Sequence, residues 1–415
     1  MKLAGISLRR CLRAGMGLLA LLAVPVLSGR AEATAPNALV VVRHDAGAAS
    51  GPIAAAAGAH WQVRQQDAAH GLLLLEPADA QAAPTGTLVG MMMGQAGVRA
   101  AEPLVPVDLG GDFHGQASTV MEFDDDLDMA AVRPSGAYQA MGTPLAPAPA
   151  GSYTPRVAVL DGGFVAGHVA LPSGTLAAQF DALDGGTSAM DPGNGIDDDQ
   201  DGVTDAGVGH GLAMAAAIHV LCPSAKVLPV RVLDDEGRGD SYALARGLAW
   251  ALAQDVDVIQ LGLCAHDWSP VVESLLAEAD AAGVLVVAPT GNHGSEALAY
   301  PAASPHVLAV SGVAPDGSAD AATNYASGVY LSAPSRAVPG PHPSGSQAFA
   351  WWSGSSIASA LVAGTLALRT SVAPGHAAAC RDDVADEAQG FGALPPARVG
   401  KQGAGVPDVE AAAAP

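Results

Sequence analysis

The chain has 415 residues and a formal charge of −22; half its residues are hydrophobic, but only 4% are aromatic. That length exceeds one ordinary domain and leaves room for a leader plus a small and a large domain, while the scarcity of aromatics calls for a tightly packed core of Ala, Val and Leu. The acidic balance excludes a general nucleic-acid or anionic-membrane partner, because phosphate recognition needs a basic face.

At the N-terminus, Lys2, Arg9, Arg10 and Arg13 accompany an apolar run over residues 16–27, followed by Ala31-Glu32-Ala33 with small residues at the cleavage spacing. Residues 1–33 therefore read as a signal peptide and the protein as secreted or periplasmic. The run is short for a membrane span and no later run reaches the required length, so no stable span is expected after its removal. The Arg9-Arg10 pair leaves the export route open. With Cys11 set aside in the leader, Cys222, Cys264 and Cys380 remain. No two of them have metal-ligand spacing, and a disulfide between some pair stays an open alternative.

Residues 34–107 read as a small α+β unit, with strands at 38–43 and 71–76 around a small-residue helix at 52–58. Residues 108–152 are rich in Gly and Pro and carry Asp124-Asp125-Asp126, as expected of an exposed linker in which a processing site fits. From 153 to 415 the pattern changes. Apolar strands at 157–160, 227–233, 256–263, 284–288 and 307–313 alternate with helical stretches at 211–221, 241–254 and 268–282. That alternation predicts an α/β domain with a mainly parallel sheet covered by helices on both faces, its ligand site at the carboxyl ends of the strands.

Four polar residues fall at such positions. Asp161 ends the strand Val157-Ala-Val-Leu160 ahead of Gly162-Gly163; His210, in Gly209-His210-Gly211, opens an Ala-rich helix. Asn292, in Thr290-Gly-Asn-His-Gly294, follows another strand, and Ser356, in Gly354-Ser-Ser-Ile-Ala-Ser-Ala360, starts an apolar helix. Each alone reads as a cap or turn former. Together they supply what acyl transfer needs: a nucleophile, a base, a carboxylate to orient the base, and an oxyanion donor.

In the order Asp, His, Asn, Ser, these segments resemble those of the subtilisin-like serine proteases. Strand segments such as Ala225-Lys-Val-Leu-Pro-Val-Arg-Val-Leu233 and Asp257-Val-Ile-Gln-Leu-Gly-Leu263 are similar to the family's as well, and residues 37–106 resemble its inhibitory propeptide. The resemblance implies a three-layer αβα domain over 153–415, preceded by a small propeptide domain, and a serine endopeptidase acting on protein or peptide substrates. It implies Asp161, His210 and Ser356 as catalytic triad, Asn292 in the oxyanion hole, and the chain's own propeptide as a partner. It also implies a peptide lying antiparallel beside Leu261-Gly262-Leu263, with Ala288-Pro289-Thr290 as the opposite wall of the main specificity pocket and Cys264 narrowing it. Departures from the family pattern are Leu212 and Ala216 in the histidine helix and Ser355, Ala360 and Leu361 around the serine. They motivate the alternative of a catalytically impaired peptide-binding protein. An esterase or lipase is disfavoured, since no Gly-x-Ser-x-Gly elbow surrounds Ser356.

Between the Asp and His segments, Asp197-Asp-Asp-Gln-Asp-Gly-Val-Thr-Asp205 alternates carboxylates ahead of a glycine. That spacing lets a turning loop wrap oxygens around Ca²⁺ and nominates Asp197, Asp199, Asp201 and Asp205; an acidic solvated loop is the plainer reading, since the downstream Glu of a full EF-hand is missing.

Overall fold

The computed structural model describes residues 39–109, 120–123 (backbone only), 127–144, 146, 151–375 and 377–414. The proposed signal peptide lies outside the described residues, as do Asp124-Asp125-Asp126.

The first described unit is a four-stranded antiparallel sheet in the order β2-β3-β1-β4. Its elements are β1 (Val40–His44), α1 (Ser50–Ala56), β2 (Trp61–Asp67), β3 (Leu72–Pro77), α2 (Thr85–Met93) and β4 (Val98–Pro103). The continuous apolar runs of β1 and β3 exist because both faces of this sheet are covered. Val40, Val42, Leu73 and Leu75 pack with Ile53, Leu88 and Met92 of its own helices. The alternate residues Val41, Leu72, Leu74 and Ala100 join the core of the larger domain. By contrast β2 is polar and exposed beyond Trp61, an edge strand with no apolar signal.

Four short elements follow: β5 (Pro106–Asp108), β6 (Val120–Phe123), α3 (Met129–Val132) and α4 (Gly136–Gln139). The expectation of an exposed linker over 108–152 does not hold for its described middle part. Leu127, Val132, Tyr138 and Met141 are spaced to put one side of α3 and α4 into the main core.

The larger domain is built from β7 (Arg156–Asp161), β8 (Phe180–Asp181), α5 (His210–Leu221), β9 (Lys226–Arg231), β10 (Arg238–Asp240), α6 (Ser241–Leu252), β11 (Val258–Leu261), β12 (Cys264–Ala265), α7 (Pro270–Ala281), β13 (Leu285–Pro289) and β14 (Leu308–Val313). It continues with β15 (Val329–Pro334), β16 (Val338–Pro341), β17 (Phe349–Ser353), α8 (Ser355–Val372), α9 (Ala377–Asp386) and α10 (Val409–Ala412). Seven strands form one parallel sheet in the order β15-β14-β13-β11-β7-β9-β8. The period-two alternation of side chains sorts its residues into two cores. Val157, Val159, Val258 and Val287 face α5 and α8, whereas Ala158, Leu160, Ile259 and Val286 face α6 and α7. The result is the expected three-layer αβα arrangement.

Helix starts follow local chemistry. Asp240 caps α6 by accepting from the Ala243 amide at 2.9 Å, and Ser269 caps α7 by accepting from Val272 at 3.0 Å, with Pro270 in its first turn. By length and composition α8 could cross a membrane, but 89% of it is buried inside the protein. It is the central helix of the α5 and α8 layer, a case that apolar run length alone does not separate from a span. Cys222, Cys264 and Cys380 are free and buried.

Candidate active site

Register aligns the ends of the central strands. Leu261 of β11 pairs with Leu160 of β7, so Gly262 and Asp161 leave the sheet side by side. Asp161 is fully buried, and one carboxylate oxygen accepts from the Gly162 amide at 2.7 Å. His210 is the first residue of α5, directly after Gly209, whose φ of 91° is a left-handed conformation that only glycine adopts without strain. This sharp entry delivers the ring to Asp161. Nδ1 lies 2.8 and 2.9 Å from the two carboxylate oxygens and donates to them. Burial pushes the Asp161 carboxyl up from its ordinary value, while the charge and hydrogen bond of His210 and the Gly162 amide act against that rise.

Gly262 lies over the pair so closely that a Cβ built on it would meet Asp161 Oδ2 at 1.8 Å and His210 Cε1 at 3.3 Å. A side chain there would have to displace the Asp161 carboxylate. Two residues earlier, Gln260 Nε2 donates to Ser359 Oγ at 3.0 Å, which ties β11 to the first turn of α8. Ser356 is in that same turn, fully buried, and among the described residues its hydroxyl has no hydrogen-bond partner. Trp352 of β17, four residues before it, sets its ring edge to face with His210 at 6.2 Å.

Asn292 follows β13 in the loop beside α8. Its Oδ1 accepts from the Ser355 amide at 2.8 Å and the Ser355 hydroxyl at 2.9 Å. With the oxygen end fixed, the Nδ2 end, the donor that an oxyanion needs, is set on the opposite side of the amide. Ser355, where the family mostly has Thr, makes this contact with its own hydroxyl. Leu212 and Ala216 are buried within α5, and His210 keeps its place against Asp161.

Residues that the sequence did not nominate stiffen the site. The buried Asn324 side chain donates to Thr290 O at 3.0 Å and accepts from the His293 and Ser295 amides at 3.0 and 3.1 Å, clamping the loop that carries Asn292. Asn324 and Gln260 lie in ordinary-looking strand and turn text; only their buried contacts reveal them.

Beyond Leu261-Gly262-Leu263, Cys264 Sγ lies 4.0 Å from Pro289 O. Thr290 is buried with its hydroxyl on Asn324 O at 2.9 Å. A strand of the chain itself lies beside Cys264. β5 lies antiparallel between β10 and β12, with Asp108 opposite both Arg238 and Cys264, and β6 pairs antiparallel with β17, Val120 opposite Ser353.

In the acidic loop, oxygens of Asp197, Asp199 and Asp201 come within 4.8 Å of one another, a hard-oxygen set that suits Ca²⁺. The Arg238 guanidinium pairs with Asp199. Asp205 is not part of the cluster. Its carboxylate accepts from the Asn194 and Gly195 amides at 3.0 Å each. Glu236, unforeseen in the sequence, anchors the loop by accepting from the Asp198 and Ala206 amides at 3.0 and 3.2 Å.

Comparison with known proteins bears on the family and the fold. The sequence profile of the Subtilase family matches residues 153–386. Subtilisin BL from Lederbergia lenta is 33% identical over 174 residues, 40% of this chain and 64% of that protein. A thermostable alkaline protease from Halalkalibacterium halodurans is 31% identical over 177 residues, 40% of this chain and 48% of that protein. The matched region thus spans less than two thirds of these curated relatives. Among solved structures, a protease from Pseudoalteromonas arctica superposes with a TM-score of 0.57 at 22% identity, over 68% of this chain and 93% of that one. A lanthipeptide protease gives 0.53 at 21% identity, over 62% and 86%. The solved structures support the fold.

Proposed function

Because this chain belongs to the subtilase family, we propose that it is an exported serine endopeptidase that hydrolyses peptide bonds through an acyl-enzyme on Ser356. The observation that carries this reading is the buried Asp161–His210 pair, Nδ1 to carboxylate at 2.8 Å, directly beneath Gly262. Ser356 Oγ attacks the substrate carbonyl as His210 Nε2 takes its proton. Asp161 holds the ring's orientation and offsets the charge that forms on it. Asn292 Nδ2 and the amide end of α8 stabilise the oxyanion. His210 then gives its proton to the leaving amine, and water repeats the sequence on the acyl-enzyme.

Residues 34–107 act in this reading as a propeptide that, continuing through Asp108 at the end of β5, keeps the groove filled until the chain cuts itself between Val107 and Asp128. The basic and apolar leader supports export. Calcium, where bound, supplies positive charge to the acidic loop; Asp197, Asp199 and Asp201 would hold it, with Asp205 engaged on neighbouring amides. An active-site serine phosphonate tests the function against the impaired, peptide-binding alternative. The expected result is one covalent adduct on Ser356 by peptide mapping of the folded, calcium-replete protein; no adduct there would favour the binding protein.

A further inference from the structure

The chain's own strand in the groove indicates what kind of peptide the groove reads. β5 makes an antiparallel ladder with β10 and β12, and the His266 amide donates to Pro106 O at 3.1 Å. An extended peptide that replaces β5 inherits the same backbone partners, so its side chains take the places of those of β5. At one place the side chain meets a specific group. The Asp108 carboxylate lies 2.5 Å from His266 Nε2, the acid 15% and the imidazole 57% exposed. Both border a pocket of about 650 Å³, together with Trp268, Glu273, His293 and Tyr300.

His266 is not the pocket's sole titratable group: the exposed Asp267 follows it directly and His293 lines the same pocket, so an acidic preference has to be read through His266 itself. Glu273 is held by the Tyr300 hydroxyl at 3.2 Å and the Ser304 hydroxyl at 3.1 Å. Arg238, although opposite Asp108 in the ladder, sends its guanidinium to Asp199. His266 is exposed, follows directly after β12 and is not part of the Asp161–His210–Ser356 machinery.

We propose that His266 is a specificity-determining residue on the N-terminal side of the cleaved bond, selecting an acidic side chain on the extended peptide at the place Asp108 occupies. The inference rests on the endopeptidase reading. It makes Asp108 a stand-in for substrate, so the same contact serves the propeptide before processing and acidic peptides after it. A partly exposed ion pair of this kind gives a preference of about two- to five-fold, not an absolute requirement.

The test uses the full chain after self-processing and fluorogenic peptides that carry Asp, Asn or Lys in turn at the third to seventh residue upstream of the cleaved bond. One position is expected to favour Asp over Asn in kcat/KM by about two- to five-fold. That ratio should fall to about one in His266→Gln and return in His266→Lys; because it is taken within each enzyme, losses of folded protein cancel. Cleavage with no Asp preference at any position, or a preference unchanged in His266→Gln, overturns this role of His266 and leaves the endopeptidase reading standing. No cleavage of any peptide, together with no phosphonate adduct on Ser356, fails the endopeptidase reading itself and takes the role of His266 with it.

Discussion

The N-terminal unit and the parallel sheet are both covered on two faces, yet they are held by different kinds of contact. In the sheet, strands β7, β9, β11 and β13 are apolar on both sides and enclosed by helices of the same domain. The N-terminal unit adds a polar seam to its apolar one. Glu102 accepts from the Ser269 hydroxyl at 2.8 Å and the Val271 amide at 3.2 Å at the start of α7. Arg43 reaches Ser274 and pairs with Glu278, and Arg99 also pairs with Glu278. An acid at a helix N-terminus and ion pairs at a half-exposed edge hold an interface in register but add little net stability. In the proposed reading, the sheet is the scaffold that fixes the catalytic groups and the N-terminal unit is the propeptide that is released.

Three substitutions break or sharpen that contrast. Gly262→Ala strikes the scaffold where it carries the chemistry. A Cβ there must push Asp161 Oδ2 aside, so kcat/KM should fall by about 10²-fold or more, since a displacement of about 1 Å in a catalytic group already costs about 10²-fold. Near-normal peptide hydrolysis by this variant would show that the Asp161–His210 pair is not the working dyad. Asn292→Ala removes one oxyanion donor and should lower kcat by about 10²- to 10³-fold with little change in KM. Loss confined to KM would instead make Asn292 a binding residue.

Glu102 tests the docked unit, and its effect is the smallest. Burial raises its carboxyl above the ordinary value, against the hydrogen bonds from Ser269, Ser241 and Val271. A raised acid binds its proton more readily in the docked state. Its contribution is therefore fully present below the ordinary glutamate range and is lost as pH rises through the raised value. In a Ser356→Ala background, Glu102→Gln should flatten that part of the Tm-against-pH curve by about 2 °C. An unchanged curve would place the pH dependence of docking elsewhere.

The larger domain was the more legible part of the sequence. Five of its strands and three of its helices stand out as apolar runs alternating with helical text, because a parallel sheet buried on both faces needs continuous Val, Leu and Ile. The N-terminal unit was half legible. β1 and β3 are apolar, but β2 is a polar edge strand and carries no signal. Residues 127–141 read as linker because α3 and α4 each span only four residues, too short for a periodic pattern, although Tyr138 and Met141 are core residues. Within the candidate site, Asp161, His210, Asn292 and Ser356 could be nominated because the roles proposed for them demand particular residue types at strand and helix ends. Asn324 and Gln260 could not, since they act by holding other groups. The steric demand on Gly262 could not be read either, because it arises from a neighbour about a hundred residues earlier in the chain.

The most direct measurement places wild type and Ser356→Ala side by side, following casein hydrolysis and the intact mass of the chain under folded, calcium-replete conditions. The account predicts that wild type trims itself between Val107 and Asp128 and digests casein, while Ser356→Ala stays full length and inert. Two chains that both remain full length and inert, or that both process and digest alike, would contradict it.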